Sequence, residues 1–125
     1  MTRIGFMSDL HLDSNQFGDF ERQVLRQLLK EEGIDHLHIA GDLSNDLTKI
    51  SLPFLETLKQ EIPLSFFLFY HDMLGLSEQE ISNYDFQIQQ FGQTKLISFS
   101  GWYDYSFGPE KSKEEHLRTK NNFWF

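Results

Sequence analysis

Three short runs carry side chains able to do chemistry: Asp9-Leu10-His11, Gly41-Asp42 and His71-Asp72. Carboxylate oxygens and neutral imidazole nitrogens are ligands for Zn²⁺, Mn²⁺ or Fe, and an Asp-x-His pair offers one of each to a single ion. Asp42 would complete a three-ligand set. Each run follows a short apolar stretch, at residues 3–7, 35–40 and 64–70. Read as strands, those stretches put every run at a strand's carboxyl end, where open α/β sheets form their sites. Polar strand ends are ordinarily solvated loops and caps. Asp or His at all three shifts the reading to a metal site.

The elements that must position these groups alternate along the chain. Phe20, Val24, Leu25, Leu28 and Leu29 recur at helical spacing over residues 19–32, with Asp19 as the N-cap and Gly33 closing the helix. A second helix carries Ile50, Phe54, Leu55 and Leu58, with Pro53 in its first turn. Ser77 and Glu80 form a capping box for a third, striped by Ile81, Tyr84, Ile88 and Phe91 and ended by Gly92. Residues 95–100 read as a further strand, followed by the aromatic turn Trp102-Tyr103-Asp104-Tyr105. A charged helical segment from 110 to 120 then leads to Phe123-Trp124-Phe125.

This alternation predicts an α/β fold with a mainly parallel sheet of about four or five strands, flanking helices and right-handed crossovers. No linker, repeat or low-complexity stretch divides it, so residues 1–125 read as one domain.

Lys and Arg number 11 and Asp and Glu 19, a net charge of −8. Such a balance argues against direct binding to nucleic-acid phosphates and fits docking onto a basic protein surface. The absence of cysteine excludes disulfides, thiolate metal sites and thiol nucleophiles. With no signal-peptide pattern and no long apolar run, a cytoplasmic location is expected.

The order D-x-H, G-D and H-D on successive strand ends resembles the calcineurin-like metallophosphoesterases. That family's pattern runs D-x-H, G-D, G-N-H-[D/E], a later H and a final G-H-x-H. The resemblance spans nearly the whole chain and corresponds to the N-terminal half of the family domain. It implies half of a metallophosphoesterase fold, with Asp9, His11 and Asp42 as metal ligands and His71 as the catalytic acid. Two departures limit it. Phe69-Tyr70-His71-Asp72 puts Tyr70 where the family has a ligating asparagine, and a neutral phenol with a pKa of ~10 is a poor substitute. His116 is the only histidine after Asp72, and the two later motifs are absent.

A two-metal mechanism needs ions ~3.5–4 Å apart. Three protein ligands hold one ion, with further positions left for water. The expectation is therefore a truncated, catalytically inactive relative that keeps one divalent transition metal, Zn or Mn. The alternative is a phosphoesterase with a reduced mononuclear site, using His71.

Other polar groups read more plainly. His36 and His38 share a strand face and are expected to be packed rather than to bind metal. Asp13, Asn45 and Asp46 are expected to cap or solvate loops, and Asp72 either simply orients His71 or touches the metal. Residues 111–120 read as a solvated helix face. The aromatic residues from Trp102 to Phe125 are assigned to covering a bare sheet face or to a dimer or partner interface, with Trp102, Tyr103 and Trp124 as the anchors.

The chain is also similar to phage-encoded type II anti-CRISPR proteins, which act on Cas9. That similarity implies an acidic inhibitor in the cytoplasm of a bacterial host, with the Cas9 effector complex as partner; a homodimer is the alternative that the aromatic interface offers. Its action would be to hinder target DNA loading or cleavage. The positive channels of Cas9 would steer an acidic protein onto it.

Overall fold

The computed structural model describes residues 1–84 and 86–99. The expected aromatic turn, the charged helix and the terminal aromatics, and with them Trp102, Tyr103 and Trp124, lie outside the described residues.

Three short strands, β1 (Ile4–Met7), β2 (His36–Ile39) and β3 (Leu64–Phe66), form a parallel sheet in the order β1-β2-β3. Ile4 pairs with His36 and Met7 with Ile39, while Leu37 and Ile39 pair with Leu64 and Phe66. As the central strand, β2 is buried at every position, which is why its sequence lacks a simple apolar–polar alternation. Leu37 and Ile39 point into a core with Leu12, Leu43, Leu55, Leu58 and Ile62. Burying one such side chain stabilises by roughly 1.5–3 kcal/mol.

Helix α1 (Asp19–Glu31) sends Leu25 and Leu29 onto that core and leaves Phe20, Val24 and Leu28 exposed. Its N-cap is Gly18 rather than Asp19, and the Gly18 N–H donates to the Glu21 carboxylate at 2.9 Å. A wide turn at Leu47–Ser51 runs into α2 (Leu52–Lys59), with Pro53 in the first turn, where its missing N–H costs nothing. Leu55 and Leu58 are the buried residues of α2. No helix among the described residues is long and apolar enough to cross a membrane.

The described residues are α/β as expected, but their strands form a three-stranded parallel sheet and a separate two-stranded antiparallel one rather than a single mainly parallel sheet of four or five strands. The third helix is short, α3 (Glu78–Ser82), although the Ser77–Glu80 capping box forms as expected, with Glu80 N–H donating to Ser77 Oγ at 3.2 Å. Residues expected to continue it form β4 (Phe86–Phe91), which pairs antiparallel with β5 (Thr94–Phe99) as a separate two-stranded sheet. The stripe Ile81, Tyr84, Ile88, Phe91 fits a helix, but Phe86-Gln87-Ile88-Gln89 also alternates, and the short period prevails. Gly92, at φ 58°, is not a helix stop. It is the first residue of the two-residue turn between Phe91 and Thr94, a position where hairpins favour glycine.

Candidate metal centre

The site is built where the loops after β1 and β2 run side by side. Ala40 N–H donates to Met7 O, Asp9 N–H to Gly41 O, His11 N–H to Asp42 O and Leu12 N–H to Leu43 O, at 2.7–3.1 Å. These bonds extend the pairing of the two strands past their ends and bring the D-x-H and G-D runs into register. Leu12 and Leu43 then anchor the loops in the core.

Asp9, His11 and Asp42 each present one ligand atom, and the three atoms lie within 4.8 Å of one another. His11 Nε2 is 3.9 Å from Asp9 Oδ1. Asp9 is exposed, His11 half-buried and Asp42 buried, so the cluster opens to solvent on one side. Two carboxylate oxygens and an imidazole nitrogen fit a divalent transition metal better than Mg²⁺ or Ca²⁺, which take oxygen ligands.

Neighbouring groups orient the carboxylates. Ser8 Oγ donates to Asp9 Oδ2, and His71 N–H donates to Asp42 Oδ1 at 3.0 Å. Each leaves the carboxylate's other oxygen for an ion.

All three residues have left-handed backbones: φ is 58° at Asp9, 42° at His11 and 54° at Asp42. Asp tolerates this region and His less well, at a cost of roughly 1–2 kcal/mol per residue. The three left-handed backbones bring their side chains to one point.

Gly41 prepares the turn, with φ at 86°. A Cβ there would run into Phe69 Cβ and stand 2.7 Å from Phe69 N. Only glycine lets the chain after β2 approach the chain after β3 so closely.

The H-D run contributes from the opposite side. The His11 and His71 rings meet edge to face at 5.0 Å. Asp72 is fully buried and does not orient His71. Its carboxylate accepts the N–H groups of Asp42 at 2.6 Å, Leu43 at 2.8 Å, Phe69 at 3.0 Å and Ser44 at 3.4 Å. Burial pushes its carboxyl above the usual range, and the four N–H donors pull only part of the way back.

His71 is oriented instead by Asn45, whose Oδ1 lies 2.7 Å from His71 Nδ1. Asn45 is itself held by Asp13, which accepts its backbone N–H at 3.1 Å and its side-chain Nδ2 at 3.0 Å. A carboxylate accepting from Nδ2 turns Oδ1 toward the imidazole, so His71 Nδ1 is the donor in that bond. Burial works to raise the Asp13 carboxyl, but the N–H donors prevail and hold it below the usual range. Sequence reading placed Asp13 and Asn45 as loop groups. Their position after the D-x-H and G-D runs was the signal that they meet. Asp46 does cap, accepting Lys49 N–H at 2.9 Å.

Tyr70 precedes a single tight helical turn at His71–Met73 and is half-buried, with its ring 6.4 Å from that of Phe69. His36 and His38 take no part in the centre: both bond to Ser65 Oγ. Among the described residues, Asp9, His11 and Asp42 make the one group of three or more His, Asp or Glu able to hold an ion. No family model, no curated protein and no solved structure matches the chain.

Proposed function

We propose that this chain is a protein-binding domain stapled by one divalent transition metal, Zn or Mn, held by Asp9, His11 and Asp42. The observation that carries the metal reading is the convergence of three ligand atoms within 4.8 Å on three strained backbones. Parallel strands β1-β2-β3, with ligands after the carboxyl ends of β1 and β2 and His71 after that of β3, support descent from half of a metallophosphoesterase fold. A three-ligand set suits one ion rather than the pair that phosphoesterase chemistry uses.

Binding as the mode of action is supported by the β4–β5 hairpin, whose outward face carries two apolar pairs beside Gln90 and Lys95. Phe86, Ile88, Ile97 and Phe99 are 63%, 54%, 50% and 62% exposed, and they pair across the strands as Phe86 with Phe99 and Ile88 with Ile97. Four such side chains on one face are the composition of an interface core. The net charge of −8 favours a basic partner, and the partner proposed is the Cas9 effector complex.

The test is loading of target DNA by guide-charged Cas9 with and without this chain. Wild type is expected to block loading, and increased salt to slow its association. A Phe86→Ser, Phe99→Ser variant, and alanine at Trp102 or Trp124, are expected to weaken it. Loading that proceeds unchanged in the presence of wild type removes Cas9 as the partner and leaves the metal reading standing.

His71 favours a second reading, hydrolysis of a phosphoester. Its Nδ1 is fixed by Asn45 and its ring lies against His11, so a protonated Nε2 could deliver a proton to a leaving oxygen. A divalent ion, when bound, would supply Lewis acidity toward a phosphoryl oxygen. Turnover of a generic phosphodiester with Mn²⁺ or Zn²⁺, abolished in both His11→Ala and His71→Ala, would establish it. Absence of turnover in wild type with metal bound excludes it for that substrate.

A further inference from the structure

One face of the parallel sheet carries a buried polar cluster that the metal centre does not use. His36 and His38 project from the same side of β2, opposite Leu37 and Ile39. His36 Nε2 and His38 Nδ1 both bond to Ser65 Oγ on β3, at 2.9 and 2.8 Å. His38 Nε2 reaches Ser98 Oγ on β5 at 3.2 Å, and the His36 ring takes Phe91 of β4 edge to face at 4.8 Å. His36, His38, Ser65 and Ser98 are all buried. This face of the sheet is turned toward the β4–β5 hairpin. At the two histidines the hairpin covers it.

The hairpin lies on this face in an unusual sense. Its apolar pairs point away, and the side turned to the sheet holds Gln87, Gln89, Phe91, Leu96 and Ser98. Its attachment at the histidines thus depends on hydrogen bonds and one ring contact rather than on a broad apolar seam.

Proton counting shows what those bonds tolerate. A hydroxyl has one hydrogen, so Ser65 donates to one histidine and accepts from the other, and His38 then exchanges one bond with Ser98. With both rings neutral, all three of these bonds can be made in either direction around the chain. With both rings protonated, each ring nitrogen is a donor. Ser65 then faces two N–H groups and can donate to neither ring, and two cations stand close together on a largely buried face.

We propose that this cluster is an acid-sensitive latch: protonation of His36 and His38 releases the β4–β5 hairpin from the parallel sheet while the sheet stays folded. The groups facing the pair from the packed elements are Phe6 of β1, Ser65 of β3, Phe91 of β4 and Ser98 of β5, none of them charged near neutral pH. Each histidine is the other's titratable neighbour, and His36 works against a charge on His38. Among the described residues, no carboxylate bonds to either ring.

Burial lowers the proton affinity of both rings in the closed state. Above the ordinary value of 6.5 both forms are neutral and the latch is fully closed. As pH falls below that, the released form takes up protons more readily, so closure weakens until the lowered values of the closed state are reached.

The test is residue-resolved amide hydrogen exchange on the full chain between about pH 7.5 and about pH 5.5, across the range in which histidine titrates. Protection of the β4–β5 amides, corrected for intrinsic exchange, is expected to fall by up to about tenfold per pH unit for each proton taken up. Protection in β1, β2 and β3 is expected to hold. His38→Gln keeps a polar side chain able to meet Ser65 and Ser98 without titrating, and it should flatten the dependence. Three results would overturn the latch: hairpin protection that ignores pH, equal loss in hairpin and sheet, or an unchanged dependence in His38→Gln. If His38→Gln does not fold, Ser98→Ala decides. It removes the hairpin's bond to His38 and should loosen the hairpin at neutral pH without affecting the sheet. Unchanged hairpin protection in that variant would overturn the latch too.

Discussion

Asp42 and Asp72 clasp two strand ends together: the Asp42 N–H donates to the buried Asp72 carboxylate at 2.6 Å, and the Asp42 carboxylate accepts the N–H of His71, Asp72's neighbour, at 3.0 Å. One aspartate faces the prospective ion and the other holds the loop that aims it. Asp72→Ala would leave the N–H groups of Asp42, Leu43, Ser44 and Phe69 without this acceptor, three of them buried. We expect a loss of roughly 3–5 kcal/mol, much of a small domain's stability, measured by urea unfolding. Asp72→Asn keeps one acceptor oxygen and should cost about 1–3 kcal/mol. An Asp72→Ala protein as stable as wild type would show that the clasp is incidental.

Gly41→Ala tests the close approach behind the clasp. Its φ of 86° is unfavourable for alanine, and the new methyl would press on the Phe69 backbone. The combined strain should lower stability by about 2 kcal/mol or more and weaken metal binding, because Asp42 is the next residue. Calorimetry with and without Zn²⁺ reads both effects. Full stability with weakened metal binding would place the strain in the loop alone.

Metal should stabilise the fold, since it joins loops that follow two different strands. Chelation is expected to lower the Tm, and His11→Ala to lower it to the same value with no further change on chelation. At a metal concentration about a hundredfold above Kd the stabilisation would be about 2.7 kcal/mol. Identical melting curves for wild type before and after chelation would exclude a structural role for the ion.

Acid should loosen both carboxylate-capped helices. Glu80 and Glu21 sit below their ordinary value of 4.5 because each accepts backbone N–H bonds at its helix start, Glu80 from Ser77 and Glu21 from its own N–H and that of Gly18. A depressed carboxyl binds fewer protons folded than unfolded, so its contribution is complete above the ordinary value and is lost as pH falls through the lowered one. Glu80→Gln should make α3 exchange protection less sensitive to pH below about 4.5, since the amide does not titrate. Retention of the full acid dependence in that variant would assign it to other groups.

The site was more legible in the sequence than the sheet around it. Asp9, His11 and Asp42 could be singled out because ligand chemistry restricts residue type and the strand-end rule restricts position. Asp72 was visible only as a neighbour of His71. Its grip on four backbone N–H groups depends on how two loops meet, which spacing does not encode. Asn45 and Asp13 lie far apart in sequence and touch only because β1 and β2 are adjacent. For residues 86–91, a stripe compatible with two periods left the choice to Gly92 and the cross-strand partners Ile97 and Phe99.

Metal stoichiometry tests the central claim most directly. Equilibrium dialysis of the full chain against Zn²⁺ and Mn²⁺, followed by elemental analysis, should find one tightly held ion per chain. His11→Ala and Asp42→Asn should each abolish that ion. A wild type that retains no ion, or variants that retain the same ion, would contradict a centre built on Asp9, His11 and Asp42.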